Sequence, residues 1–242
     1  MTLPVALTIA GSDSGGGAGI QADIKAMQAN GVFATSVITA VTAQNTQAVT
    51  HAVDIPIESI NAQVDAVMAD FDVRAAKTGM LSSTAIIEAV AAKVREHKIG
   101  PLVVDPVMIS TSGFVLLQDD AIESIIKSLI PHATLVTPNA HEAAHLTGKP
   151  VTTLAEAKAA AETIMAMGPR SVLVKGGHHE GEGEAIDLFF DGSGFESFTA
   201  PFIDTKNTHG TGCTYASAIA AFLARGFALT DAIGHAKEYV AQ

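Results

Sequence analysis

Short apolar runs alternating with amphipathic helical stretches restrict this chain more than any other feature. Val5–Ala10, Ser36–Val41, Leu102–Val104, Thr134–Thr137 and Ser171–Val174 are brief, mostly apolar segments, as strands covered on both faces would be. Between them apolar residues recur at helical spacing: Ile20, Ile24 and Met27, then Ile60, Val64, Val67, Met68 and Phe71, then Ile86, Ile87, Val90 and Val94, then Ile122, Ile125, Ile126 and Leu129. Helices are also expected over Leu154–Met167 and around 212–225 and 230–241. Two alternating runs, 185–190 and 194–199, flank Asp191-Gly192-Ser193 and predict a hairpin. This rhythm specifies an α/β fold with a mostly parallel sheet and helices on both faces. A length of 242 residues suits one large domain or two small ones. With no linker, repeat or low-complexity tract, residues 1–242 read as a single domain.

Ligands of such sheets bind outside the carboxyl ends of the strands. Five expected strand ends carry polar or glycine residues: Gly11, Lys77-Thr78-Gly79, Asp105, Asn139 and Lys175-Gly176-Gly177. A structural loop explains any one of them; together they point to a crevice. Near the carboxyl end lies Asp204-Thr205-Lys206-Asn207-Thr208-His209-Gly210-Thr211-Gly212-Cys213-Thr214, where a glycine loop enters a small-residue helix. A helix start leaves N–H groups unpaired and carries partial positive charge, so glycines there admit an anion to the backbone. Cys213 falls in the first turn, where that field favours thiolate. The plain alternative is a helix capped by Thr208 or Thr211, with Cys213 a small buried hydrophobe.

A second glycine loop, 11–19, follows the first strand. It fits neither the dinucleotide spacing G-x-G-x-x-G nor the phosphate-binding G-x-x-x-x-G-K-[ST]. Five glycines in nine residues still suit close approach to a ligand. Asp23, one turn into the next helix, either complements the helix dipole or faces a ligand. Lys175 ends a strand, where a point charge can meet phosphate oxygens.

A net charge of −11 argues against an extended nucleic-acid or anionic-membrane surface but permits a phosphate ligand held by local groups. One cysteine allows no internal disulfide, which suits a cytoplasmic setting. Met1–Ala10 lacks a basic flank and reads as a first strand rather than a signal peptide. No run approaches the roughly 20 apolar residues that span a bilayer. His141-Glu142-Ala143-Ala144-His145 has zinc-hydrolase spacing, yet no third ligand is evident. Asn139 and Glu142 also have the spacing of a capping box.

Gly-Ser-Asp-x-x-Gly-Gly-Ala-Gly-Ile-Gln-Ala-Asp at 11–23, Thr-Ala-x-x-Ala-Gln-Asn-Thr at 39–46 and Lys-x-Gly-Met at 77–80 add up with four further motifs. These are Asp-Pro-Val-Met at 105–108, Thr-Pro-Asn-x-x-Glu-Ala at 137–143, Lys-Gly-Gly-His at 175–178 and Asn-Thr-His-Gly-Thr-Gly-Cys at 207–213. Together the chain resembles the hydroxymethylpyrimidine (phosphate) kinases of thiamine biosynthesis, within the ribokinase-like superfamily. The resemblance implies a three-layer α/β/α fold and two successive ATP-dependent phosphorylations of 4-amino-5-hydroxymethyl-2-methylpyrimidine. It implies that Asp23 and Gln44 bond the aminopyrimidine edge, that Gly11, Met80 and Val107 line its pocket, and that Cys213 faces the hydroxymethyl group. Asp105 and Glu142 would serve Mg²⁺ and phosphate, while Asn139, Lys175, Thr208 and Lys237 would serve ATP. Gly210, Thr211, Gly212 and Cys213 would present N–H groups to the transferring phosphoryl. Members are often dimers, so a homodimer is expected. Two departures stand out: Thr111 occupies a loop position where the family often has lysine, and this chain ends at Gln242 whereas relatives usually continue with a glycine-rich tail.

The nearest rival is a pyridoxal or pyridoxine kinase of the same fold, whose substrate is also a flat hydroxymethyl heteroaromatic. A non-catalytic pyrimidine sensor would keep the pocket without turnover, and a zinc hydrolase would need His141 and His145 on one metal.

Overall fold

The computed structural model describes residues 3–108, 117, 119–176, 183–205 and 208–242. Thr111, Gly177, His178 and Asn207 therefore lie outside the described residues. The chain opens with strand β1 (Val5–Asp13), helix α1 (Gly19–Ala29), strands β2 (Phe33–Gln44) and β3 (Val49–Asp54), then α2 (Ile57–Asp70), β4 (Val73–Thr78), α3 (Thr84–Glu96) and β5 (Leu102–Val104). Helix α4 (Asp119–Ser124) runs on as a wider π turn over Ile125–Leu129, and β6 (Leu135–Val136), α5 (Ala140–Thr147), α6 (Leu154–Met165) and β7 (Val172–Val174) follow. The hairpin β8 (Glu184–Phe190) and β9 (Phe195–Pro201) leads into α7 (Thr211–Ala224) and α8 (Leu229–Val240).

Among the described residues, nine strands join one sheet in the order β3-β2-β1-β4-β5-β6-β7-β8-β9. The six from β2 to β7 are parallel, and β3, β8 and β9 pair antiparallel at the two edges. Because successive strand residues face opposite sides, the sheet splits its apolar residues between two cores. Leu7, Ile9, Val104 and Val136 pack under α2 to α6, whereas Ala6, Val103, Leu135 and Leu173 pack under α1, α7 and α8. The result is the expected three-layer α/β/α arrangement.

Differences from the sequence reading are local. β1 continues through Gly11 to Asp13, so the rim begins at the glycine loop itself. Strand β3 was not expected; Val49 alone of its six residues is buried, which leaves the sequence no apolar alternation to show. Helix α7 is apolar almost all round, with Tyr215 to Phe222 buried, because α1 and α8 cover the faces that the sheet does not. No helix among the described residues is long and apolar enough to cross a membrane.

Candidate active site

At the carboxyl ends of the central strands, a cavity of about 150 Å³ is walled by Gly11, Gln44, Met80, Asp105, Val107 and Cys213, with Asn139, Glu142, Lys175, Thr208, Gly210 and Gly212 completing its polar side. Beside it, a larger cavity of about 520 Å³ lies against β8, β9 and α8, reaching Asp187, Phe202, Tyr215 and Lys237. Asn139, Lys175, Thr208 and Gly212 border both. Lys237 thus belongs to the larger cavity, where its ammonium pairs with buried Asp187 at 2.7 Å.

The shared wall is the start of α7. Gly210 holds the cap position at φ +79, and a Cβ there would sit 1.7 Å from the Gly17 carbonyl oxygen. Only glycine lets the two glycine loops touch in this way. The loops are also tied by charge: buried Asp13 accepts from the Gly15, Gly17 and Ala18 N–H groups and pairs with His209 Nε2 at 2.9 Å. Burial alone would raise the Asp13 carboxyl, but His209 and those N–H groups outweigh it and hold it below its usual range. Asp13 and His209 both line the smaller cavity, yet sequence reasoning gave neither a role. Their signal was present only as motif letters in two loops 196 residues apart.

The first turn of α7 has no side-chain cap and no acidic residue, so its N–H groups stay available to an anion. Thr211 is an exception to the expected set. Its N–H donates to the Thr208 carbonyl at 3.2 Å, and the residue faces the larger cavity instead. Of the remaining first-turn residues, Gly212 borders both cavities and Cys213 the smaller one.

Cys213 lines the cavity as expected, but its thiol is not activated. Burial pushes it up to about 11; Lys77 opposes this, while Asp23 and Asp105 add to it. Desolvation therefore defeats the helix field that predicted a thiolate.

Asp23 is the clearest correction. It is fully buried and off the cavity wall. Lys77 Nζ donates to both its oxygens at 2.9 Å, Thr8 Oγ1 to Oδ2 at 2.5 Å and Ser217 Oγ to Oδ1 at 2.6 Å. Those donors leave it no free edge to offer a pyrimidine. Instead it ties α7 to β1 and β4 beneath Cys213, which lies one turn above Ser217.

On the opposite wall, Asp105 follows β5 and accepts from Lys175 Nζ at 2.6 Å and from Thr137 Oγ1 at 3.1 Å. Burial would raise its carboxyl, but Lys175 and Lys77 hold it below the usual range. Burial pushes neighbouring Glu142 up to about 7, against the pull of Lys175 and with the push of Asp105. Asn139 Oδ1 accepts from the Glu142 N–H while Glu142 Oε2 accepts from the Asn139 N–H, both at 2.8 Å, completing the capping box. That box turns Glu142 into the crevice and leaves His141 and His145 exposed on the outer side. The zinc reading is thereby overturned, because the two imidazoles face solvent away from the carboxylate. Among the described residues, the one metal-like grouping is Asp65, Glu96 and His97, remote from the crevice in sequence and already engaged by Lys93.

Two cavities that meet at a glycine-opened helix start, with a lysine and two carboxylates opposite, define a small-molecule phosphotransferase of ribokinase-like fold. Residues 13–242 match the family described as phosphomethylpyrimidine kinase, and the chain belongs to that family. It is 52% identical over 237 residues to a hydroxymethylpyrimidine/phosphomethylpyrimidine kinase of Rhizobium meliloti, covering 98% of this chain and 88% of that one. A crystal structure of phosphomethylpyrimidine kinase from Clostridium difficile 630 superposes with a TM-score of 0.86 at 43% identity, covering 98% and 97% of the two chains. An ADP complex of Bacillus subtilis pyridoxal kinase superposes with a TM-score of 0.91 at 36% identity, covering 98% and 90%.

Proposed function

We propose that this protein uses ATP to phosphorylate 4-amino-5-hydroxymethyl-2-methylpyrimidine and then its monophosphate to the diphosphate. The family and the 52% identical relative support the reaction. One structural observation carries its geometry: the smaller cavity and the larger one share the α7 start, so a hydroxymethyl group and a triphosphate tip would meet there.

In this reading the ring lies between Met80 and Val107, with the Gln44 amide at its polar edge. The triphosphate extends past Thr208, Asn139 and Lys175 toward Lys237. Gly212 and Cys213 N–H groups and the Lys175 ammonium stabilise charge on the transferring phosphoryl. One such donor is worth roughly 100- to 1000-fold in rate, about 3–4 kcal/mol. Phosphoryl transfer relies on positioning and charge stabilisation more than on a strong base. A neutral Cys213 thiol fits that demand by orienting the substrate hydroxyl, and its raised pKa argues against proton abstraction.

Asp105 and Glu142 form a buried acidic pair whose mutual repulsion contributes to the raised Glu142 carboxyl. Such a pair suits Mg²⁺, which is commonly held by one or two carboxylates, waters and substrate phosphates. When bound it would neutralise phosphate charge. The homodimer and cytoplasmic setting remain part of this proposal; the exposed edge of the sheet, where Val53 of β3 and its β2 partner Val41 are uncovered, supports a second copy packing there.

The test is ADP release with the pyrimidine alcohol, its monophosphate and pyridoxal side by side. Turnover of both pyrimidines is the expected result. Turnover of pyridoxal alone would transfer the assignment to the vitamin kinase suggested by the Bacillus subtilis likeness, and binding without ADP release would make the protein a sensor.

A further inference from the structure

The other pole of the sheet carries a feature that the kinase reading leaves unused. Where the chain enters β5, β6 and β7, an open groove of about 610 Å³ is bordered by Arg95, Lys98, Ile99, His132, Thr134 and Arg170. These strands deliver Asp105, Asn139 and Lys175 at their opposite ends, so the groove lies across the sheet from the crevice.

Its charge is unusual for this chain. Acidic residues outnumber lysine and arginine by 25 to 14, and most of the described lysines and arginines have a partner. Lys77, Lys93, Lys127, Lys175, Lys237 and Arg74 form ion pairs, Lys25 bonds a carbonyl, and Lys158 and Arg225 lie over aromatic rings. Among the described residues, Arg95, Lys98, Lys149 and Arg170 remain without a side-chain partner, and three of these four border this groove. No carboxylate borders it. The one titrating neighbour, His132, is lowered by burial and by Arg95, with no acid opposing.

The negative end of α3 accounts for the two cations of its last turn, Lys93, which is already paired with Asp65 and Glu96, and Arg95. It does not account for Arg170, which arrives from the connection before β7. Nor does it explain Lys98, a non-glycine residue at φ +52 in a position just past the helix that glycine or asparagine usually takes. Two guanidinium forks and an ammonium, uncompensated and drawn from two segments of the chain, match several phosphate oxygens better than one.

We propose that this groove binds a small molecule carrying a chain of phosphates, at a site separate from the catalytic crevice. The His132 ring reports on the groove alone, so proton NMR of its signal, assigned with His132→Gln, is followed while inorganic tripolyphosphate is added to the full chain. A saturable shift is expected, weakened roughly tenfold or more by Arg95→Ala/Arg170→Ala, the loss of about 1.4 kcal/mol or more. Retained pyrimidine kinase turnover in that double variant serves as the check on folding. In parallel titrations, tighter binding of ADP than of tripolyphosphate names a nucleotide and tighter binding of tripolyphosphate a free phosphate chain, whereas inorganic phosphate binding as tightly as either shows an adventitious ion only and overturns the proposal. An unmoved His132 signal with every phosphate, or the same affinity in the double variant, overturns the proposal.

Discussion

Replacing Lys77 by methionine tests the role assigned to the buried network under α7. Lys77 and Asp23 are both fully buried, and the lysine supplies two of the four hydrogen bonds that the carboxylate accepts. Lys77→Met keeps the length of the side chain but strands a charge with two neutral donors, Thr8 and Ser217. Removing one partner of a buried pair typically costs ~3–5 kcal/mol. For a chain of this size each kcal/mol moves the melting midpoint by about 2–4 °C, so a fall of roughly 6–20 °C is expected. Adding Asp23→Asn removes the stranded charge and should restore most of that loss. The assay is a double-mutant cycle by denaturant unfolding, in which contacting groups couple by about 0.5–3 kcal/mol. If Lys77→Met unfolds at the wild-type midpoint, or if Asp23→Asn brings no recovery in its presence, Asp23 is not a structural tie.

Three further outcomes follow from the crevice. Cys213 is expected to resist iodoacetamide at pH 7 to 9 and to react faster as pH rises toward about 11, because burial keeps the thiol protonated; a rate plateau below pH 8 would contradict this. The same sign makes its contribution to stability largest below the unfolded thiol pKa and lost as pH rises toward the folded value, since the unfolded chain gives up the proton first. Gly210→Ala should lower kcat by about 100-fold or more while the fold survives, because the added Cβ meets the Gly17 carbonyl and pushes the two loops apart; steady-state kinetics with circular dichroism as control checks it. Gln44→Ala should raise the KM for the pyrimidine roughly tenfold and leave the KM for ATP unchanged, a split that a general packing defect would not produce.

Local chemistry made much of this protein legible from its residues. Strand ends rich in glycine and charge located Asp105, Asn139 and Lys175, because parallel sheets place such residues on one rim. The capping-box spacing of Asn139 and Glu142 predicted their mutual hydrogen bonds, since those bonds depend on three residues of backbone and little else. Edge strand β3 escaped because all its residues after Val49 are exposed, on both faces, and so carry no period.

Periodicity and turn chemistry are set by neighbours along the chain, and these determined the alternating α/β order, the glycine-opened start of α7 and the rim of the crevice. Tertiary structure decided everything that depends on which distant surfaces are buried together. It sealed Asp23 against Lys77 rather than leaving it to a ligand, joined Asp13 to His209, and kept the Cys213 thiol protonated where its place on a helix suggested a thiolate. Burial and long-range charge are properties of the packed whole, and no window of sequence contains them.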